Sequence, residues 1–167
     1  MGDLHIETRA GCGLASIMAR KGVEARQVGA ALGIDAPTSP VRKVGAGGLS
    51  LIGTGSGTWL AYAEGVYPFW SNDLRQRVDG LASVSDQSSA YVILRLSGSR
   101  ARTVLQRGAP IDLHPEAFGV GSAATTVVSH IGVIVWQLDD RPTYEVALFR
   151  SFSDSFRHWL DQAAAAL

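Results

Sequence analysis

The most constraining stretch of this chain runs from Tyr91 to Phe118, YVILRLSGSRARTVLQRGAPIDLHPEAF. It opens on alternation, with Val92, Leu94 and Leu96 on one face and Tyr91, Ile93 and Arg95 on the other. A period of two, rich in β-branched and aromatic residues, predicts a strand. Ser97, Gly98 and Ser99 break it, and Ala101, Val104 and Leu105 then recur at helical spacing. A serine just ahead of that run is placed to accept the unpaired N–H groups of a first helical turn, and Gly108 to end the helix. Pro110 blocks further helix, leaving Ile111 to Pro115 as a loop.

Around this stretch the pattern alternates between strand and helix. Residues 1–12 carry no period and read as a loose arm, ahead of one domain over residues 13–167. Leu14 to Arg20 reads as a strand closed by Lys21-Gly22, and Val23 to Leu32 as a helix with Val23, Val28, Ala31 and Leu32 inward. Gly29 weakens that helix by about 1 kcal/mol relative to alanine, and Gly33 is placed to stop it. Pro37 to Gly48 is linker-like. Leu49–Ile52 and Trp59–Ala63 flank a glycine-rich turn, the signature of a hairpin. Trp70 to Leu81 is amphipathic through Leu74, Val78 and Leu81, with Ser71 or Asn72 as its N-cap. Ala124–Ser129 and Ile131–Leu138 are either two strands with a tight reversal at His130 or one long bent strand. Asp139 to Pro142 is a turn, and Tyr144 to Phe149 a further alternating strand. Ser151 opens the last helix, with Asp154 completing an approximate capping box and Phe152, Phe156, Trp159 and Leu160 on one apolar face. Six or seven strands interleaved with four helices predict an α+β fold, its helices packed on an antiparallel or mixed sheet.

Composition enters through charge. The 167 residues hold 15 basic and 15 acidic side chains, so no net field recruits nucleic acid or anionic lipid. Charged residues are only 18%, against roughly 25% in an average domain, and the mean hydropathy is +0.11. So charge-poor a domain is either sticky or has part of its surface covered by a partner. A single cysteine, Cys12, excludes a disulfide framework. No apolar run approaches the ~20 residues of a membrane-spanning helix, and the N-terminus lacks the pattern of a secretory signal, so a cytoplasmic location is expected.

Motifs that would carry chemistry are thin. Neither Gly45-x-Gly47 nor Gly53-x-Gly55 completes a dinucleotide fingerprint, and no lysine follows in the manner of a phosphate loop. The four histidines stand singly, without metal-ligand spacing. Asp112 and His114 are the closest acid–histidine pair, able in principle to serve acid–base chemistry, but beside Pro115 the aspartate is better suited to capping a turn. Asp139 and Asp140 read as a solvated turn. Arg95, Arg100, Arg102 and Arg107 surround the central helix; without exposed aromatics between them, contact with an acidic neighbouring chain is a better reading than nucleic acid. Trp59, Trp70, Trp136 and Trp159 suit either core or interface.

Two stretches carry a family resemblance: LRLSGSRARTVLQRGAPIDLHPEAF, and VIVWQLDDRPTYEVALFRSFSDSFRHWL. They resemble the gamma subunit of heterotetrameric sarcosine oxidase, in which a strand enters an sGprA…vL helix and a Dl-p-F loop, followed by a w…D…y.l…rSFa.yl..wL ending. The resemblance spans roughly Ser83 to Leu160 and, more faintly, Leu49 to Ala63. It implies a fold like the folate-binding domain of the glycine-cleavage T-protein. It also implies a non-catalytic subunit, with no catalytic, cofactor-binding or metal-binding residues on this chain, in a complex with alpha, beta and delta subunits. Such a complex oxidatively demethylates sarcosine or a similar secondary amine and passes the one-carbon unit to tetrahydrofolate. FAD, FMN, NAD, zinc and tetrahydrofolate are then expected on the partner subunits. Arg100, Arg102, Asp112, His114, Trp136 and Arg150 are the candidate subunit contacts. The alternatives are a stand-alone folate-binding, aminomethyltransferase-like enzyme domain, and a binding module akin to the N-terminal domain of a tRNA-modification GTPase.

Overall fold

A computed structural model of the chain describes residues 4–167. The backbone divides into two compact units, Ala10–Ser89 and Ala90–Leu167, the second joined by the N-terminal residues up to Arg9. The body expected as one domain over residues 13–167 is thus built in two parts. Each has its own five-stranded sheet, antiparallel at every pairing, which settles the choice between antiparallel and mixed. The first strand, β1 (His5–Arg9), occupies much of the stretch expected to be a loose arm. It pairs with the strand Tyr91–Ser97 of the second unit, where Ile6 and Thr8 sit opposite Leu96 and Leu94. The start of that arm, residues 1–3, lies outside the described residues.

In the first unit, β2 (Cys12–Ala19) leads to α1 (Ala25–Leu32), then β3 (Arg42–Val44), β4 (Ser50–Gly55), β5 (Thr58–Glu64), α2 (Trp70–Arg77) and β6 (Ala82–Asp86). The sheet order is β3-β4-β5-β2-β6. One face buries Ala15, Ile17, Leu51, Trp59, Ala61 and Val84 against Val28 and Leu32 of α1 and Leu74 and Val78 at α2. Gly33 ends α1 in the left-handed conformation, at φ 69°, as its position predicts. Gly29 has a second role: a Cβ there would lie 2.5 Å from the carbonyl oxygen of Ile34. The chain turns back so tightly after α1 that only glycine fits.

Three expectations change in this unit. The linker-like stretch is held on the sheet, because Trp59 Nε1 donates to the Pro37 carbonyl at 2.8 Å and Arg42–Val44 pairs with β4. Ser71 does not cap α2, nor does Asn72; the N-cap is Phe69. Ser71 lies inside the first turn, and its hydroxyl donates to Asp86 Oδ2 at 2.9 Å. The Asp86 carboxylate also accepts the Ser88 N–H at 2.8 Å, and that backbone bond leads the contacts holding it below its ordinary value of 3.8. The strand β6 itself went unforeseen, since Ala82–Asp86 is short and largely polar.

The second unit contains β7 (Tyr91–Ser97), α3 (Ala101–Gln106), β8 (Ala123–Val128), β9 (Ile131–Asp139), β10 (Thr143–Phe149), a turn of 3-10 helix (Arg150–Phe152) and α4 (Ser153–Ala165). The sheet order is β1-β7-β10-β9-β8. Val92, Leu94 and Leu96 do lie on one face, packed with Tyr144, Val146, Leu148, Val133 and Val135 under α3 and α4. Ser129 and His130 are both left-handed, at φ 50° and 67°, so the run between Ala123 and Asp139 is two strands with a two-residue reversal.

Both helix starts in this unit depart from expectation. At α3 the N-cap is Arg100, and no side chain caps the turn. Ser151 falls inside the 3-10 turn, and the N-cap of α4 is Phe152, again without a side-chain cap. The buried face of α4 is Phe156, Leu160 and Ala163, with Trp159 packed partly beside it. Phe152 is 46% exposed, because the 3-10 turn offsets it from the helical stripe. Gly108 follows α3 for a packing reason: a Cβ there would sit 2.5 Å from Cζ2 of Trp159.

Candidate functional site

Four of the residues singled out from the sequence, Arg102, Arg107, Asp112 and His114, meet in one groove of the second unit. It has a volume of about 420 Å³ and is lined by Arg102, Thr103, Gln106, Arg107, Asp112 and His114. α3 supplies one wall, and the loop after Pro110 the other. The two are held together by a single side chain. Gln106 Nε2 donates to the carbonyls of Ile111 at 2.7 Å and Ala109 at 3.3 Å, and its Oε1 accepts the Leu113 N–H at 2.8 Å. Leu113, buried in the core, anchors the loop from beneath.

The polar groups of the groove have defined roles. Asp112 Oδ1 accepts the backbone N–H of His114 at 2.8 Å, and His114 Nδ1 accepts that of Glu116 at 3.3 Å. Asp112 and His114 therefore stabilise a local turn, as the proline beside them implies. Arg102 Nε donates to the hydroxyl of Tyr144 at 3.1 Å, and Arg107 Nη2 to the carbonyl of Ala166 at 3.1 Å. Burial pushes the Tyr144 hydroxyl above its ordinary value, partly offset by Arg102.

The remaining candidates lie elsewhere. Arg100 stands at the start of α3, outside the groove lining. Trp136 has no exposed surface, and its indole N–H donates to Glu145 Oε2 at 2.9 Å. It anchors the sheet from within. Arg150, in the 3-10 turn, donates to the carbonyl of Tyr91 at 3.2 Å. It sits between exposed Phe149 and Phe152, and the Phe149 ring lies 4.8 Å from that of Tyr91.

One cluster escaped the sequence reading. Glu145 is fully buried on the sheet face opposite Tyr144 and Val146. Its Oε1 accepts Arg95 Nη2 at 2.6 Å and Nε at 3.0 Å. Beside it a cleft of about 460 Å³ is lined by Arg95, Ser97, Gly98, Leu138, Asp139, Arg141 and Thr143. Burial alone would raise the Asp139 carboxyl, but hydrogen bonds from Arg141 and Thr143 hold it below its ordinary range. Asp139 thus serves the turn expected of it. The glycines at 53, 55 and 57 belong to the β4–β5 hairpin, with no helix after it to hold a phosphate. Among the described residues, no three His, Cys, Asp or Glu side chains gather to hold a metal ion, and no helix is long and apolar enough to cross a membrane.

Residues 18–166 match the model of the "Sarcosine oxidase, gamma subunit family". The sarcosine oxidase subunit gamma of Corynebacterium sp. (strain P-1) is 39% identical over 85 residues, 51% of this chain and 41% of the relative. That of an Arthrobacter species is 38% identical over 80 residues, 48% of this chain and 39% of the relative. The matched segments thus span about two-fifths of these curated relatives. Among solved structures, a chain of the heterotetrameric sarcosine oxidase from Corynebacterium sp. U-96, in complex with pyrrole 2-carboxylate, superposes with a TM-score of 0.87. It is 26% identical, over 98% of this chain and 84% of that one. The glycine cleavage system aminomethyltransferase T of Bartonella henselae shares the fold, with a TM-score of 0.71 at 15% identity over 95% of this chain and 45% of that one.

Proposed function

The chain belongs to the sarcosine oxidase, gamma subunit family, and we propose that it works as a non-catalytic structural subunit of a sarcosine oxidase-like heterotetramer. Its partners are the alpha, beta and delta chains of that complex, assembled in the cytoplasm. The complex oxidatively demethylates sarcosine or a similar secondary amine and passes the one-carbon unit to tetrahydrofolate. FAD, FMN, NAD, zinc and tetrahydrofolate are held by the partner chains.

The observation that carries this reading is the superposition of 98% of the chain on a chain of heterotetrameric sarcosine oxidase. The residues agree with it. The one acid–histidine pair flagged in the sequence is engaged with backbone N–H groups. The buried carboxylate of Glu145 is bound to Arg95 and Trp136. The stand-alone, folate-binding enzyme has only a likeness of fold behind it, over less than half of the aminomethyltransferase chain.

Co-expression with the alpha, beta and delta chains of the same organism tests the proposal. The expected result is a single complex containing this chain, with sarcosine-dependent hydrogen peroxide formation and flavin retained by the complex but not by this chain alone. A chain that never co-elutes with the other three, or that retains flavin by itself, overturns it.

A further inference from the structure

We propose that the groove between α3 and the loop at Asp112–His114 receives an acidic segment of a partner chain within the complex. The proposal rests on the subunit reading above and assigns that subunit a docking surface of defined chemistry.

Three observations carry it. The first is a run of one charge: Arg95, Arg100, Arg102 and Arg107 occur with no Asp or Glu before Asp112. Two of these arginines, Arg102 and Arg107, line the groove.

The second is that neither groove arginine is neutralised. Arg102 donates to the phenol of Tyr144 and Arg107 to the carbonyl of Ala166, both uncharged oxygens. Among the described residues no carboxylate forms an ion pair with either. Each guanidinium is oriented by one bond and keeps the rest of its fork for another acceptor. A planar fork of this kind is matched best by a carboxylate, which accepts two parallel bonds.

The third is that the walls are already built. Gln106 uses its amide on both sides to hold the loop, and Tyr144, which orients Arg102, is itself fully buried. A site with its donors in place loses little in ordering when the partner arrives.

Nucleic acid fits less well. The chain has no net charge, and Asp112 and Glu116 bring negative charge to the groove and its loop, where a phosphate backbone would be repelled. A short acidic peptide can seat its carboxylates on the arginines and leave that rim alone.

The test uses three substitutions, two that add negative charge and one that removes it. Thr103 on α3 and Arg107 at its C-cap are exposed, so Thr103→Glu and Arg107→Glu place negative charge in the groove without touching the core. Asp112→Asn keeps the Oδ1 acceptor for the His114 N–H and removes the one carboxylate lining the groove. Each variant, with the native chain, is titrated into the complex of alpha, beta and delta chains, and thermal melts verify that it is folded. Binding at low salt should weaken on the order of tenfold for Thr103→Glu and for Arg107→Glu, and tighten several-fold for Asp112→Asn. The differences should collapse in 1 M salt, where charges are screened within about 3 Å. Equal affinities for all four folded proteins overturn the groove assignment while leaving the subunit reading intact, as does a weakening by Asp112→Asn. Failure of the native chain itself to bind instead removes the subunit reading, and the groove assignment falls with it.

Discussion

Gly108 and Trp159 stand 51 positions apart in the sequence, yet a single methyl group at Gly108 would lie 2.5 Å from the indole. The bare backbone after α3 is the surface on which the last helix rests its tryptophan. Gly108→Ala should therefore destabilise the protein by about 1–3 kcal/mol, the usual range for overpacking. Trp159→Leu, which removes the ring, should make the same change nearly neutral. A double-mutant cycle by urea denaturation measures the coupling, and purely additive losses would show that glycine is there for chain flexibility alone.

Gly29 sharpens the same point with a prediction that opposes helix propensity. In an exposed helix interior, glycine to alanine gains about 1 kcal/mol. At Gly29 the new Cβ meets backbone, the carbonyl oxygen of Ile34 at 2.5 Å and the N–H nitrogen of Ala36 at 2.9 Å. Backbone cannot swing aside as a flexible side chain can. Gly29→Ala should lower the melting temperature, and a rise would mean that the turn after α1 yields.

Glu145 is the buried charge on which the second unit's sheet depends. Arg95 and Trp136 donate to its two oxygens from the strands on either side. Glu145→Ala removes the carboxylate to which both the Arg95 guanidinium and the indole N–H donate, and should cost about 3 kcal/mol or more. Glu145→Gln keeps an acceptor for Trp136 and should cost less. Chemical denaturation of both variants checks the order; equal losses would indicate that the neutral acceptor kept for Trp136 contributes nothing.

How far the sequence foretold these features depends on their range. The strand at Tyr91–Ser97, the hairpin around Gly55, the stop at Gly33 and the turn at Asp112 were legible because each is decided by residues within a few positions. Ser71 and Ser151 misled as caps, since α2 begins at Trp70 and leaves Ser71 inside its first turn, and a 3-10 turn displaced the start of α4. Arg95 and Glu145 were visible as lone charges in apolar strands, but their pairing is a matter of register between strands 50 positions apart. Of the site, the arginine run and the Asp112 turn could be read directly. The groove could not, because it exists only once Gln106 ties the loop to α3.

Asp86 gives a prediction in acid. Its carboxyl is held below 3.8, chiefly by the Ser88 N–H, so folding favours the ionised form. A depressed folded value adds stability that is complete above the unfolded value and fades as pH falls through the folded one. As pH falls below about 5, Asp86→Asn should remove part of the native protein's acid loss, seen as a shallower fall of the urea midpoint. Parallel pH profiles for the two proteins would show that the Ser88 and Ser71 contacts do not discriminate charge.

The last helix separates two phenylalanines that the sequence placed on one stripe. Phe156 has no exposed surface, while Phe152 is 46% exposed because Arg150–Phe152 is wound as 3-10 helix, out of phase with the α-helix that follows. Phe156→Ala opens a cavity beneath α4 beside Leu160 and should cost about 3–5 kcal/mol. Phe152→Ala removes a side chain already half in water and should cost less than about 1 kcal/mol. The same change should make the isolated chain less prone to self-association, since Phe149 and Phe152 flank Arg150 as exposed aromatic surface. Denaturant melts and gel filtration of the two variants decide the matter. A large loss of stability at Phe152 would return it to the core face and put the 3-10 start of the helix in error.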